Sequence, residues 1–159
     1  MNKTLVGSAV VLFLLTAFCL PADAQKRKKR KQQLQTVIQT AESYLGTPYV
    51  YGGNGGNGID CSGLIHNAYK AAGVEVPRTA KEQSRTGKSK NWNTLRAGDI
   101  VFFKFKQKGE KWWHSGIVSR IEGNSIYFIH ASSSRGVVES NLMSDYYRKS
   151  IRRIRRFIK

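Results

Sequence analysis

The chain has 159 residues, 27 of them Lys or Arg and 10 Asp or Glu, for a net charge of +17. That length suits one domain with its own core, and no internal repeat or second domain is visible. Charge of this size points to anionic partners, such as lipopolysaccharide, teichoic acid, other wall components or nucleic acid, and says nothing about fold.

The N-terminus reads as an export signal. Lys3 supplies a positive start, residues 5–20 are mostly apolar, and Ala22-Asp23-Ala24 places small residues where signal peptidase reads them. Cleavage before Gln25 is expected, giving an exported protein of the periplasm, envelope or exterior. Two alternatives stay open. Cys19 raises a lipoprotein, against which Phe18 stands where a small residue is expected. The heavier charge after the apolar run than before it raises an uncleaved anchor with the body inside the cell. Residues 25–33 contain Lys26-Arg27-Lys28-Lys29-Arg30-Lys31 and read as a solvated, mobile tether. Residues 34–159 form the folded domain. With Cys19 removed, Cys61 is the sole cysteine, so no internal disulfide is possible.

Leu34, Val37, Ile38, Ala41 and Leu45 recur at helical spacing and predict a helix stopped by Gly46. A Gly-rich loop over 46–59 carries Tyr49 and Tyr51. A second helix starts at Cys61 with Asp60 as N-cap, keeps Leu64, Ile65, Ala68, Tyr69 and Ala72 on one side, and ends at Gly73. Thr79-Ala80-Lys81-Glu82 is a capping box that predicts a short third helix. After the Ala97-Gly98-Asp99 turn the pattern changes to strands over 100–105, 113–121 and 125–130, with 137–140 and 153–158 as further strands. Helices first and strands second predict an α+β fold, with an antiparallel sheet packed on the Cys61 helix.

A thiol in the first turn of a helix faces the positive end of the dipole, which favours the thiolate. If Glu122-Gly123 is a two-residue turn, His114 falls opposite Ala131 and close to His130. Cys61 as nucleophile, His114 as base and His130 as orienting group then form a nucleophile–base–orienter set. The bland alternative makes Cys61 a buried small hydrophobe and each His an ordinary polar residue. His66 lies five residues beyond Cys61, about 140° round the helix, and is read as structural. No tight Cys or His pair supports a metal site, and no cofactor is called for. No nucleic-acid-binding motif accompanies the charge, so nucleic acid is the less favoured partner.

Six segments occur in a shared order: Pro48-Tyr49-Val50-Tyr51-Gly52-Gly53, Asp60-Cys61-Ser62-Gly63, Pro77-Arg78-Thr79, residues 97–103, His114-Ser115-Gly116-Ile117 and Ile129-His130-Ala131. Together they resemble the NlpC-type cell-wall cysteine peptidases over essentially the whole domain. The resemblance implies a papain-like fold and a Cys61-His114-His130 triad. It implies hydrolysis of peptidoglycan stem peptides, at the bond from γ-D-glutamyl to a diamino acid. It also implies that Tyr49 helps hold the oxyanion and that Asp60 and Ser62 contact substrate. Two positions depart from it: many relatives have Ser where this chain has Ala80, and a larger apolar residue at Ser115. The expectation is a monomeric, exported cysteine endopeptidase that reaches anionic envelope through its basic segment. The rivals are a cysteine amidase cutting between sugar and peptide, and a basic wall-polymer or nucleic-acid binding protein without catalysis.

Overall fold

Ile100-Val101-Phe102-Phe103 is apolar at every position, so a strand built from it must be covered on both faces. That strand is the centre of the fold. The computed structural model describes residues 21–107 and 110–159. In chain order the elements are α1 (Ala22–Ser43), β1 (Asn54–Gly55), β2 (Gly58–Ile59), α2 (Cys61–Ala71), α3 (Ala80–Gln83) and β3 (Lys88–Lys90). A 3₁₀ turn (Trp92–Thr94) follows, then β4 (Ile100–Gln107), β5 (Glu110–Glu122), β6 (Ser125–Ser132), β7 (Gly136–Asn141), α4 (Asp145–Arg148) and β8 (Ile151–Arg156). The architecture is α+β. β1 and β2 form a small hairpin, and the other six strands form one sheet in the order β3-β8-β4-β5-β6-β7. Every pairing in it is antiparallel.

Alternation along β4 divides the core. Ile100 and Phe102 face α1 and α2, where they join Ile117, Ile129, Leu64 and Ile65. Val101, Phe103 and Phe105 face the other way, against Val118, Phe128, Leu142 and Ile154. Each such side chain, once buried, contributes about 1.5–3 kcal/mol. The C-terminal strand is basic outside and apolar inside: Arg152 and Arg153 are exposed while Ile154 is buried. Two buried contacts anchor the turn before β4. The Tyr69 hydroxyl donates to the Gly98 carbonyl. The buried Asp99 carboxylate accepts from Arg156 Nε at 2.6 Å and Nη2 at 2.7 Å. Gly98 has φ 80°, and a Cβ there would lie 2.3 Å from Leu34 Cδ1.

Two expectations need correction. The helix predicted to begin near Leu34 starts at Ala22, so Lys26–Lys31 lie on helix rather than in a mobile tether. Lys, Arg and Gln are good helix formers, and a segment already packed through Val37 and Ala41 propagates backwards at little cost. The β5–β6 turn is Gly123-Asn124, because Glu122 pairs with Ser125. Gly123 takes φ 54°, a left-handed conformation suited to glycine. An irregularity between Val118 and Arg120 then shifts the register by one, so that Ile117 pairs with Ile129. Of the signal-peptide reading over residues 1–24, residues 1–20, Cys19 included, lie outside the described residues, and its Ala22-Asp23-Ala24 motif forms the start of α1. Among those residues, no helix is long and apolar enough to cross a membrane.

Candidate active site

The start of α2 is held by a dense polar clasp. The Asp60 side chain caps the helix, accepting the Gly63 N–H at 2.6 Å and the Ser62 hydroxyl at 3.0 Å. Its second oxygen accepts the Gly52 N–H at 3.0 Å. Arg78 forks onto both carboxylate oxygens at 2.9 and 3.1 Å. The same guanidinium donates to the carbonyls of Gly52 and Gly53 at 3.1 and 2.8 Å. The loop, the β1–β2 hairpin and the helix start are thereby fixed as one unit. Burial pulls the Asp60 carboxyl upward, but hydrogen bonds from Arg78, Gly63 and Ser62 outweigh it and hold it below the usual carboxylate range. Arg78 has no assigned role in the sequence reading, although its Pro77-Arg78-Thr79 segment is noted there.

The histidines come from neighbouring strands. His114 Nε2 and His130 Nδ1 lie 2.8 Å apart, and the two rings meet edge-on at 86°. His130 stacks on Phe128 two residues earlier, at 4.6 Å and 13°. Gly116 makes room for them: a Cβ there would lie 2.6 Å from the Phe128 ring and 3.0 Å from His130 Cβ. The far nitrogen of His130, Nε2, is 3.0 Å from Ser140 Oγ and 3.2 Å from Tyr147 Oη. Neither hydroxyl is signalled in the sequence, because each comes from an element after the recognisable segments.

Cys61 lines a cavity of about 580 Å³ together with His114, His130, Tyr49 and Tyr147. It also lines an adjoining one of about 560 Å³ with Tyr49, Asp60, Ser62, Arg78 and Ala80. Tyr49, Tyr51, Cys61 and Trp113 border both, so the thiol lies where two arms of one cleft meet. All six residues singled out from sequence therefore converge. His66 does not: its Nδ1 is 2.8 Å from the Val76 carbonyl, and it faces a separate groove.

Burial dominates the electrostatics. It pushes the Cys61 thiol up, against the smaller opposite pull of Ser115 and the Ser62 backbone. The thiolate expected from the helix start is therefore not the resting form. Burial also lowers His114 to about 4. It lowers His130 to about 3, with the neighbouring His114 adding to the effect. Thiol and imidazoles are thus all neutral near pH 7. Tyr49 is raised by burial and by the proximity of Cys61, so its hydroxyl keeps its proton and can donate. Such a site can pass one proton from sulfur to imidazole as the sulfur attacks a carbonyl. Among the described residues, no group of three or more His, Cys, Asp or Glu is placed to hold a metal ion.

A cysteine at a helix start, set against a sheet that carries a histidine pair, defines the papain-like class. The NlpC/P60 family profile matches residues 46–156. The chain belongs to the NlpC/P60 family. It is 34% identical over 152 residues to the Escherichia coli K12 protein named "Probable endopeptidase NlpC", covering 92% of this chain and 96% of that protein. It is 35% identical over 100 residues to the γ-D-glutamyl-L-lysine dipeptidyl-peptidase of Bacillus subtilis, covering 63% of this chain and only 34% of that protein. Among solved structures, a family protein from Bacillus cereus superposes with TM-score 0.69 at 32% identity, covering 79% of this chain and 40% of that one. The peptidoglycan hydrolase RipB of Mycobacterium tuberculosis gives 0.67 at 26% identity, covering 87% of this chain and 72% of that one.

Proposed function

We propose that this protein is an exported cysteine endopeptidase that hydrolyses peptidoglycan stem peptides at the bond from γ-D-glutamyl to a diamino acid. One observation carries the reading: the buried Cys61 at the start of α2 lines the same cavity as the His114–His130 pair. Cys61 Sγ attacks the amide carbonyl while His114 accepts the thiol proton. His114 then returns that proton to the leaving amine, and the acyl-enzyme is hydrolysed by a water that His114 activates in turn. His130 orients His114. The Tyr49 hydroxyl and backbone N–H groups at the helix start hold the oxyanion, for which one donor is worth about 10²–10³ in rate. Asp60 and Ser62 form the wall of the second arm and contact the acyl part of the substrate. The choice of bond follows the B. subtilis relative, whose name specifies a γ-D-glutamyl-L-lysine bond.

A second reading has its own support. The chain is 38% identical over 123 residues to the E. coli murein DD-endopeptidase MepS, which points to a D,D-crosslink. Mass analysis of muropeptides after incubation with purified protein separates the two. Products ending in D-glutamate support the first, and intact stems released from crosslinks support the second. Unchanged walls overturn both.

A further inference from the structure

Among the interactions that the triad alone leaves without a role, one pair stands out. His130 ends in two hydroxyls, Ser140 Oγ at 3.0 Å and Tyr147 Oη at 3.2 Å from Nε2. We propose that Ser140 and Tyr147 are positioning residues that fix the proton inventory of both histidines, so that His114 presents its Nδ1 lone pair to Cys61. The proposal rests on the reading of His114 as the base.

The His114 Nε2–His130 Nδ1 contact of 2.8 Å holds a single proton between two ring nitrogens. A neutral imidazole carries one N–H and one lone pair. If His114 Nε2 carries the shared proton, its Nδ1 has a lone pair and can accept from sulfur. His130 Nδ1 is then the acceptor, and His130 must hold its own proton on Nε2. That N–H needs an acceptor, and both hydroxyl oxygens lie within reach. If a hydroxyl donated to Nε2 instead, every proton in the chain would reverse. His130 Nδ1 would donate to His114 Nε2, and His114 would carry its proton on Nδ1, where it could not act as a base. Two oxygens on one N–H favour the first arrangement, because a hydroxyl oxygen has two lone pairs and its own hydrogen can turn elsewhere.

The surroundings support a fixed role. His130 is 2% exposed, so an unmet Nε2–H would be a buried orphan. Tyr147 stands edge-on to both His130 and Phe128, with interplanar angles of 71° and 80°. Its position in α4 is held by Arg148 N–H donating to the Ser144 carbonyl at 2.9 Å. Ser140 comes from β7, one strand beyond β6. Two separate elements thus deliver acceptors to one nitrogen.

The test compares the full-length wild type with Tyr147→Phe, Ser140→Ala, the double variant and Ser140→Thr. Phe keeps the ring, and Thr keeps the hydroxyl. The ¹⁵N shifts of both imidazoles report which nitrogen carries the proton. In the wild type, His114 should be protonated on Nε2 and His130 on Nε2. The double variant should show a mixture of tautomers and a fall in kcat of about tenfold to a hundredfold at unchanged KM, less than the roughly 10²–10⁴-fold expected if the general base were lost outright. Each single variant should fall less, and Ser140→Thr should match the wild type. A folded double variant with unaltered tautomers overturns the proposal, whether or not kcat falls. Wild-type protein inert on wall fragments would overturn the proposed function alone, since the tautomers are read without substrate.

Discussion

Cys61 is at once the first residue of a helix and only 8% exposed, and these facts act on its thiol in opposite directions. The helix start favours the anion; burial disfavours it and prevails. Position was legible in the sequence, but depth was not, since nothing in the 60–63 segment says how much protein lies over the sulfur. Ser115 makes the balance testable. Its hydroxyl and backbone pull the thiol pKa down, and its Oγ is buried with no acceptor in good hydrogen-bond geometry. Ser115→Ala should move the midpoint of Cys61 alkylation against pH upward and slow labelling at neutral pH a few-fold, while Ser115→Thr should not. An unmoved midpoint would remove Ser115 from the nucleophile's electrostatics. Cys61→Ala and His114→Ala should each abolish hydrolysis in a folded protein. His130→Gln should keep part of it, because an amide can still hydrogen-bond His114, and His66→Ala should be mild. Activity on wall fragments checks the set, and full turnover by folded Cys61→Ala would sink the mechanism. The buried histidines also set a pH window for stability. Both have folded pKa values depressed to about 4 and about 3, below an unfolded value near 6.5. The unfolded chain therefore binds more protons across that interval, and stability falls as pH drops from about 6.5 through about 4. Thermal melting between pH 7 and 4 should show this slope, and His114→Gln should flatten it.

At the scale of elements, the cap of α2 and the close contact of β5 with β6 decide whether the parts of the site meet. The cap was readable from Asp60 before an apolar helical pattern, and the short helix α3 from Thr79 three residues before Glu82, although the observed contacts differ from a capping box: Thr79 Oγ1 accepts the Glu82 N–H and donates to the Glu82 carboxylate. The clasp by Arg78 was not readable, because it joins residues 18 apart through an irregular loop. Asp60→Ala removes the cap and strands a guanidinium and two N–H groups, so it should cost about 3 kcal/mol. Chemical denaturation measures that, and a loss under about 0.5 kcal/mol would mean that Arg78 and water rebuild the clasp. The antiparallel sense followed from alternation and turns, whereas strand order and register did not. The turn sits one residue later than expected, and the irregularity after Val118 shifts the pairing back by one. Both imidazoles share a face only because of that irregularity, since moving the turn alone shifts the pairing by two and leaves the faces as they were; side-chain alternation cannot disclose it. Gly116 shows how tight the result is. A methyl group there meets Ile129 O at 2.9 Å as well as the Phe128 ring. Gly116→Ala should therefore separate the strands at His114 and His130 and reduce turnover more than it reduces the melting temperature. Equal activity in that variant would show that the histidine pair tolerates displacement.

Over the whole molecule, charge is distributed to leave the cleft chemistry neutral and the exterior strongly basic. The ion pairs among described residues use few of the cations: Arg78 with Asp60, Arg120 with Glu122 and Glu139, Lys149 with Asp145 and Arg156 with Asp99. Lys26–Lys31 are exposed, on the part of α1 that precedes its buried residues. The charge was plain in the sequence, but its helical form was not, because no apolar periodicity marks it and the helix is imposed from the packed half. Six adjacent cations repel one another along the helix, so this stretch gains from an anionic neighbour. The run is therefore expected to bind anionic envelope polymer as a rigid basic rod, without entering the catalytic step. Its attraction is Coulombic and fades as salt shortens the screening length to about 8 Å at physiological ionic strength. Replacing the six residues with Gln preserves helix propensity and lowers the net charge by six. That variant should sediment less with purified walls at low salt, the difference should vanish at high salt, and turnover of a small soluble stem peptide should stay unchanged. A second variant, with Gly and Ser at the same positions, removes helix and charge together. If both variants lose wall binding equally, charge alone carries it. If only the Gly/Ser variant does, the helical form is the determinant and the electrostatic account fails.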